Sequence, residues 1–173
     1  MSATAAPPAG DTASVTVFVA VPPLDAFDVF TQQIDLWWRQ GPAYRIAGRR
    51  RGQLTFEGGT GGRLFETFDV KGEPKTFVVG RITTWDRPGR LVFEWRGVNF
   101  KPDESTTVEV GFRPQGDGTL VTVRHSGFAA LRDDHPVRHG KVGAEFTRSI
   151  GMWWADLMKG LQEHVLERSR PPD

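Results

Sequence analysis

Residues 142–168 read VGAEFTRSIGMWWADLMKGLQEHVLER, and this segment constrains the architecture more than any other part of the chain. Its apolar side chains recur every three or four residues, as they do on one face of an α-helix. The recurring positions are Val142, Phe146, Ile150, Trp153, Leu157, Leu161 and Val165. Trp154 and Met158 widen this face. So wide an apolar face predicts that the helix lies across a β-sheet.

Residues 53–125 change to an alternating hydrophobic period, which predicts that sheet. Turn sequences rich in glycine and proline separate the alternating segments, so successive segments are expected to pair as antiparallel hairpins. Six consecutive strands are predicted, at Gln53–Glu57, Arg63–Val70, Thr76–Trp85, Arg90–Arg96, Thr106–Arg113 and Thr119–His125. A seventh strand, Ser14–Ala20, precedes them and is rich in β-branched residues.

A helical segment is predicted between the first two strands. It begins at Pro22 and Pro23, its apolar residues continue to Trp38, and it is predicted to divide into two short helices near Thr31. This order of elements predicts an α+β fold, in which a seven-stranded curved antiparallel sheet wraps around the long C-terminal helix. The 12 Phe and 6 Trp, against one Tyr, predict an apolar, ring-lined cavity between the sheet and that helix.

The composition bounds the class of protein. The 173 residues suit a single domain, predicted at 14–169 between a flexible leader, 1–13, and a tail, 170–173. The chain has no cysteine, which excludes disulfides and thiolate chemistry. With 22 basic and 21 acidic side chains, no nucleic-acid partner is predicted. Neither a secretory signal nor a membrane-spanning apolar run is found, so we predict a cytoplasmic protein with no membrane partner.

Several segments resemble the START-related, birch-allergen-like helix-grip (SRPBCC) superfamily over about residues 14–168. They are VPPLDAFDVFTQQIDLWW, GGRLFETF, GRITTWDRPGRLVFEW, and the pair TTVEVGF and DGTLVTVRHSGF. The nearest branch is the one named after the activator of heat-shock protein 90 ATPase. The resemblance implies a helix-grip fold with a hydrophobic cavity. Members bind or transport apolar molecules, and some are cyclases, hydrolases or oxygenase components.

Strand alternation predicts which side chains face the cavity, because neighbouring residues on a strand point to opposite faces. Together with inward positions on the helices, the predicted ligand-binding residues are Phe27, Trp37, Leu64, Glu66, Phe68, Phe93, Trp95, Val110, Phe112, Val123, His125, Trp153 and Leu157. Most of these side chains are apolar, which favours a ligand with an apolar body.

Glu66 and His125 are the two ionisable side chains in that set. They are candidate catalytic residues, since two such groups on an apolar concave face could orient a polar ligand head or exchange protons with it. Burial is expected to raise the pKa of Glu66 and lower that of His125, unless the two form an ion pair. The alternative is that each is hydrogen-bonded for structural reasons.

Two features of the helices admit more than one interpretation. Glycines inside the C-terminal helix, such as Gly160, are interpreted as tolerated imperfections, the alternative being close approach of another segment. The tryptophan pairs 37–38 and 153–154 are interpreted mainly as core. Because adjacent residues on a helix point in different directions, one member of each pair is predicted to line the cavity mouth.

Other polar motifs are interpreted as incidental. His135 and His139 have the spacing of two metal ligands on a helix, but Pro136 lies between them in a charged loop, so no metal site is predicted. Arg45 and the run 49–51 are interpreted as a solvated basic loop rather than a site for phosphate or an acidic partner. No cofactor is predicted.

Three functions are compatible with the sequence. The favoured one is a small-molecule binding protein, monomeric or homodimeric, that holds an apolar or amphipathic ligand. The second is a cavity enzyme, such as a cyclase or hydratase-like acid–base catalyst, with Glu66 and His125 as proton carriers. The third, implied by the resemblance, is a chaperone ATPase cofactor acting through its surface. The recognised activators carry an additional N-terminal domain, whereas about a dozen residues precede the first predicted strand here.

Overall fold

The long helix and the curved sheet form as predicted. The computed structural model describes residues 11–168. Its strands are β1 (Ala13–Val19), β2 (Gly52–Phe56), β3 (Arg63–Val70), β4 (Glu73–Asp86), β5 (Arg90–Trp95), β6 (Thr106–Gln115) and β7 (Gly118–Ser126). Its helices are α1 (Pro23–Gln32), α2 (Ile34–Trp37) and α3 (Gly143–Arg168), with 3-10 turns at Phe128–Ala130 and Pro136–Arg138. The helix-grip α+β fold class is confirmed.

The sheet is antiparallel, with the strand order β1-β7-β6-β5-β4-β3-β2. Hairpins join consecutive strands from β2 to β7, and β1 lies beside β7 with Val15 opposite Val123. β1 and β2 therefore form opposite edges of the sheet, and α1 and α2 carry the chain from one edge to the other. α1 contacts β2, β6 and β7, so it spans the concave face.

The core lies between this concave face and α3. Inward residues of β6 and β7, including Val108, Val110 and Val121, pack in one buried cluster with Leu157 and Leu161 of α3. Each large apolar side chain buried in this way stabilises the fold by roughly 1.5–3 kcal/mol. The predicted amphipathic stripe is thus the face that α3 presents to the sheet from Leu157 to Val165. Nearer the start of the stripe, Phe146 packs in a second cluster with Phe128 and Leu131, and Val142 precedes α3 and is exposed.

A bend in β4 gives the sheet its curvature. The pairing register shifts between Leu64 and Phe65 and again between Ile82 and Thr84, and such bulges bend a strand and increase its twist. Gly80 lies between these irregularities, where any Cβ would overlap the main-chain carbonyl of Glu94 on β5. The close approach of these two strands therefore requires glycine at this position.

Gly160 corrects one interpretation made from the sequence. A Cβ at this position would lie 2.9 Å from the main-chain oxygen of Trp37, which is closer than real Cβ contacts come. Gly160 is therefore the point where α3 meets the end of α2, rather than a tolerated imperfection.

Residues 1–10 of the predicted leader and the whole predicted tail, 170–173, lie outside the described residues. Ala13 was assigned to the leader, but it belongs to β1, where it is buried and pairs with His125. Between residues 11 and 168, no helix combines the length and apolar character needed to cross a membrane.

Candidate ligand cavity

A cavity of about 540 Å³ lies beside the N-terminal half of α3. Its walls come from the loop after α2, the end of β5 with the loop that follows, and the segment between β7 and α3. Five aromatic rings line it, those of Tyr44, Trp95, Phe100, Phe128 and Trp153. These elements are far apart in sequence, so the cavity exists only once the sheet has curled around α3.

Four of these rings contact one another in edge-on or stacked arrangements. Trp95 lies edge-on to Phe100 and to Trp153, with centroid separations of 5.6 and 6.1 Å. Tyr44 stacks on Trp153 at 6.0 Å. Edge-on and offset contacts of this kind each add about 0.5–1.5 kcal/mol beyond simple burial. The aromatic wall is therefore largely preformed.

His125 lies at the inner wall and uses both ring nitrogens within the protein. The indole N–H of Trp154 donates to Nδ1 at 3.0 Å. Nε2 lies 2.7 Å from the hydroxyl of Thr106, which itself donates to the main-chain oxygen of Trp95 at 2.9 Å. Because an indole only donates and the Thr106 proton is committed to Trp95, His125 is neutral and carries its proton on Nε2.

This network gives His125 a structural role. Burial lowers the pKa of His125 to about 3, as predicted from its inward position. Its hydrogen bonds join β7 to β6 and to α3, and neither nitrogen is left to exchange a proton with a ligand. Within residues 11–168 no hydrogen bond or ion pair connects His125 to Glu66.

Glu66 is buried on β3 and faces the loop that follows α2. Its Oε2 accepts the main-chain N–H of Ala47 at 3.0 Å. Its Oε1 lies 3.9 Å from a guanidinium nitrogen of Arg45 and accepts no hydrogen bond from residues 11–168. Burial raises the pKa of Glu66, because it outweighs the Ala47 amide and the Arg45 charge.

Arg45 is buried, which corrects its assignment to a solvated basic loop. It donates to Asp35 Oδ1 at 2.6 Å, to the Trp38 carbonyl at 2.8 Å and to the Arg39 carbonyl at 3.1 Å. Asp35 Oδ1 also accepts the N–H of Leu54 at 2.8 Å. Arg45 therefore fixes α2 and the following loop against β2 and β3, and that loop forms one wall of the cavity.

The predicted lining residues separate into three groups. Trp95, His125 and Trp153 line the cavity. Glu66 is buried beside Arg45, and Phe68 lines a separate groove with the basic run 49–51. The remaining residues pack in the core, where α1, α2 and α3 cover the concave face: Phe27, Trp37, Leu64, Phe93, Val110, Phe112, Val123 and Leu157.

The lining residues that the sequence analysis missed lie mostly on loops. Tyr44, Phe100, Val137 and Ile150 had no place in the strand alternation argument, which considers strands alone. One available signal was the aromatic side chains in loops, Tyr44 and Phe100. Loops carry a disproportionate share of binding residues, so such rings are candidates for a binding wall.

The two tryptophan pairs differ in their outcome. Trp153 lines the cavity while Trp154 is buried, as predicted for neighbours on a helix. The prediction is wrong for Trp37 and Trp38, which are both buried. α2 ends at Trp37 and Trp38 is extended, with φ −69° and ψ 129°, so the directions that neighbouring side chains take on a helix do not apply to this pair.

His135 and His139 point to different surroundings. His135 is buried, accepts the N–H of Val137 at Nδ1, and places Nε2 3.3 Å from Glu104 Oε1. His139 is exposed at the cavity rim. In the part of the chain that the structure describes, no three His, Asp or Glu side chains form a group able to hold a metal ion.

One family model matches the sequence, in agreement with the resemblance and with the fold. Residues 20–149 match the family described as Activator of Hsp90 ATPase homolog 1-like protein. The chain belongs to this family. The match extends from the end of β1 into the first half of α3, and it includes every loop of the cavity wall. A comparison of the sequence with curated proteins found no match.

Solved structures of bacterial proteins resemble this chain in fold. MLL2253 from Mesorhizobium loti has a TM-score of 0.62 at 17% identity, over 92% of this chain and 99% of that chain. TTHA0849 from Thermus thermophilus has a TM-score of 0.59 at 17% identity, over 92% and 99%. The Aha1 dimer from Colwellia psychrerythraea has a TM-score of 0.58 at 13% identity, over 89% and 95%. At such identities the likeness concerns the fold alone.

His125 makes the stability of this family member depend on pH. Its pKa is about 3 when folded and about 6.5 when unfolded, so the unfolded chain binds the extra proton between these values. The stabilisation is complete above pH 6.5 and is lost as the pH falls toward 3. We expect the free energy of unfolding to fall by about 2 kcal/mol more between pH 7 and pH 5 in the parent chain than in His125→Gln.

Urea unfolding at the two pH values measures this difference. The comparison isolates His125. The raised pKa of Glu66 changes the stability with pH in the opposite direction, but both proteins contain Glu66, so its contribution cancels. His139→Gln, which removes an imidazole from the rim, is the control and keeps the parental difference. Equal acid sensitivity in the parent and in His125→Gln would contradict the assigned network.

Proposed function

We propose that this protein binds a small molecule with an apolar body in the cavity beside α3. The observation that carries the proposal is a preformed wall of five aromatic rings that encloses a cavity of about 540 Å³. Binding sites for small molecules have volumes of roughly 300–1,000 Å³ and are lined mainly by apolar and aromatic side chains. The family's fold, which typically contains a ligand cavity, supports the same proposal.

The inner wall favours retention of a ligand over acid–base catalysis. A general acid or base needs a nitrogen or oxygen that can reach the ligand. Both nitrogens of His125 are engaged, by Trp154 and Thr106, and Glu66 faces Arg45 and Ala47. His125 is thus engaged within the fold and Glu66 does not line the cavity, so binding is the function that these positions favour.

The partner is accordingly a small apolar or amphipathic molecule, and the chain acts as a monomer or homodimer. The protein from Colwellia psychrerythraea is described as a dimer, which gives some support to the second arrangement. No observation at the surface of the described residues favours the chaperone-cofactor alternative, so binding in the cavity remains the single proposal.

A neutral fluorescent ligand tests the proposal. N-phenyl-1-naphthylamine should bind at one saturable site per chain, with the increase in emission that an apolar environment produces. Ser149→Phe places a ring into the cavity from α3 and should weaken binding at least about tenfold, or about 1.4 kcal/mol. Ala155→Phe is the matched control, since Ala155 is exposed on the same helix and does not line the cavity.

The titration has two decisive results. Loss of binding in Ser149→Phe, with Ala155→Phe unchanged and both variants folded, supports the cavity as the site. If the parent chain does not bind the neutral ligand, or if Ser149→Phe binds it as the parent does, the proposal is wrong.

A further inference from the structure

The cavity lining includes basic side chains but no carboxylate among the described residues. Arg45, His139 and Lys141 contribute to the wall, and no Asp or Glu does so among the described residues. Arg45 is already satisfied by Asp35 and by carbonyl oxygens. His139 and Lys141 differ, because their side chains make no hydrogen bond or ion pair within residues 11–168. The rim therefore presents basic side chains without an acidic partner.

Three other polar side chains of the cavity lining are partnered within the protein. The Tyr44 hydroxyl donates to Asp156 at 3.1 Å, and the Trp153 indole N–H donates to the Ala43 carbonyl at 2.7 Å. The Ser149 hydroxyl donates to the Phe146 carbonyl at 2.7 Å. These three groups are already occupied, so we place the polar group of a ligand at the basic side chains of the rim.

The backbone that carries the basic rim residues is fixed by hydrogen bonds of the preceding 3-10 turn. His139 and Lys141 follow the 3-10 turn 136–138, in which the buried Arg138 donates to the carbonyls of Phe128 at 2.6 Å and Leu131 at 3.0 Å. His139 itself has a left-handed backbone with φ 48°, and the Lys141 N–H donates to the Arg138 carbonyl at 2.9 Å. The two basic side chains thus project from a fixed backbone beside the opening, which lowers the entropic cost of using them.

We propose that the ligand is an amphipathic monoanion, with an aromatic body against the aromatic wall and its anionic group at Lys141 and His139. This inference rests on the proposed function and adds the chemical class of the ligand. The edge-on arrangement of Trp95, Phe100 and Trp153 suits a flat ring system, because a further ring extends the same contacts. A partly exposed ammonium contributes modestly to the affinity for an anion, so the expected effect of Lys141 is a few-fold change.

A pair of ligands with one skeleton and different charge tests this inference. 8-Anilinonaphthalene-1-sulfonate carries a sulfonate that N-phenyl-1-naphthylamine lacks, so their affinities for the full chain report the contribution of the charge. We expect the sulfonate to bind at least about threefold tighter. Lys141→Met should reduce the ratio of the two affinities about threefold, so that the sulfonate loses most of its advantage over the neutral compound. Lys159→Met, which removes an exposed lysine of α3 away from the cavity, is the matched control.

Raising the salt concentration and changing the body of the anion complete the test. The advantage of the sulfonate should shrink from about 0.05 to about 0.5 M sodium chloride, because salt screens exposed charges. Displacement of the bound sulfonate should be more effective with 2-naphthoate than with decanoate. If decanoate displaces the sulfonate as well as 2-naphthoate does, or better, the proposal that the ligand has an aromatic body is wrong.

The outcomes separate this inference from the function on which it rests. Equal affinities for the two naphthalene compounds, or a Lys141→Met variant indistinguishable from Lys159→Met, overturn the anionic class and leave cavity binding intact. Failure of both compounds to bind overturns the proposed function itself. Sulfonate binding that persists unchanged in Ser149→Phe places that compound outside the cavity and also overturns the inference.

Discussion

Replacing Arg45 with methionine is expected to lower the free energy of unfolding by about 3–5 kcal/mol, the range seen when one partner of a buried ion pair is removed. Arg45 is almost fully buried and donates to Asp35 and to carbonyls of the chain between α2 and β2. Its loss removes the donor to the Trp38 and Arg39 carbonyls and leaves Asp35 with only the Leu54 N–H that the structure describes. It also leaves Glu66, which is 1% exposed, without the nearby charge of Arg45.

Urea unfolding at pH 7 measures the cost, and a second substitution identifies its source. Adding Glu66→Gln to Arg45→Met should restore at least about 1 kcal/mol, because the double variant no longer buries an uncompensated carboxylate. Arg49→Met is the control, since Arg49 is exposed, and should change stability by no more than about 0.5 kcal/mol. Similar losses for the two arginine variants would contradict the buried role of Arg45.

Gly80→Ala is the second substitution for which we expect a large effect. The added methyl group would overlap the carbonyl of Glu94, and both partners belong to the main chain of paired strands. Neither can rotate away as a flexible side chain would, so the bend between β4 and β5 must open. We expect a loss of about 3 kcal/mol or more, at the upper end of the cost of overpacking a core.

Gly111→Ala provides a matched comparison in β6. A Cβ at Gly111 would have no heavy atom within 4 Å, and its backbone is not left-handed. Alanine there should be tolerated to within about 0.5 kcal/mol, so thermal unfolding of the two variants separates a steric clash from a general intolerance of strand glycines. A Gly80→Ala protein as stable as Gly111→Ala would show that the two strands are not in close contact.

Both predictions bear on the cavity, because these residues position its walls. Arg45 holds the loop that carries Ala43 and Tyr44, on which Trp153 is hydrogen-bonded and stacked. Gly80 permits the bend that brings Trp95, at the end of β5, over α3. A milder loss at either position should therefore weaken ligand binding before it unfolds the chain.

The secondary structure and the order of elements were predictable because they depend on local periodicity. The stripe at every third or fourth residue identified α3, and alternation identified β2 to β7. His125 was also correctly placed on the inner face, with a lowered pKa. Its partners were not predictable, because Thr106 and Trp154 approach it from β6 and α3.

The cavity wall and the role of Arg45 depended on the tertiary structure. Alternation identifies the inward side of a strand, but Phe27 of α1 packs on Phe112 while Trp95 is left facing the cavity. Arg45 looked like part of a solvated basic loop until α2 and β3 brought Asp35 and Glu66 to it. Hydrophobic period is a property of neighbouring residues and can be read from the chain. Which surfaces remain uncovered depends on contacts between residues far apart in sequence, and those contacts form only when the sheet closes around the helix.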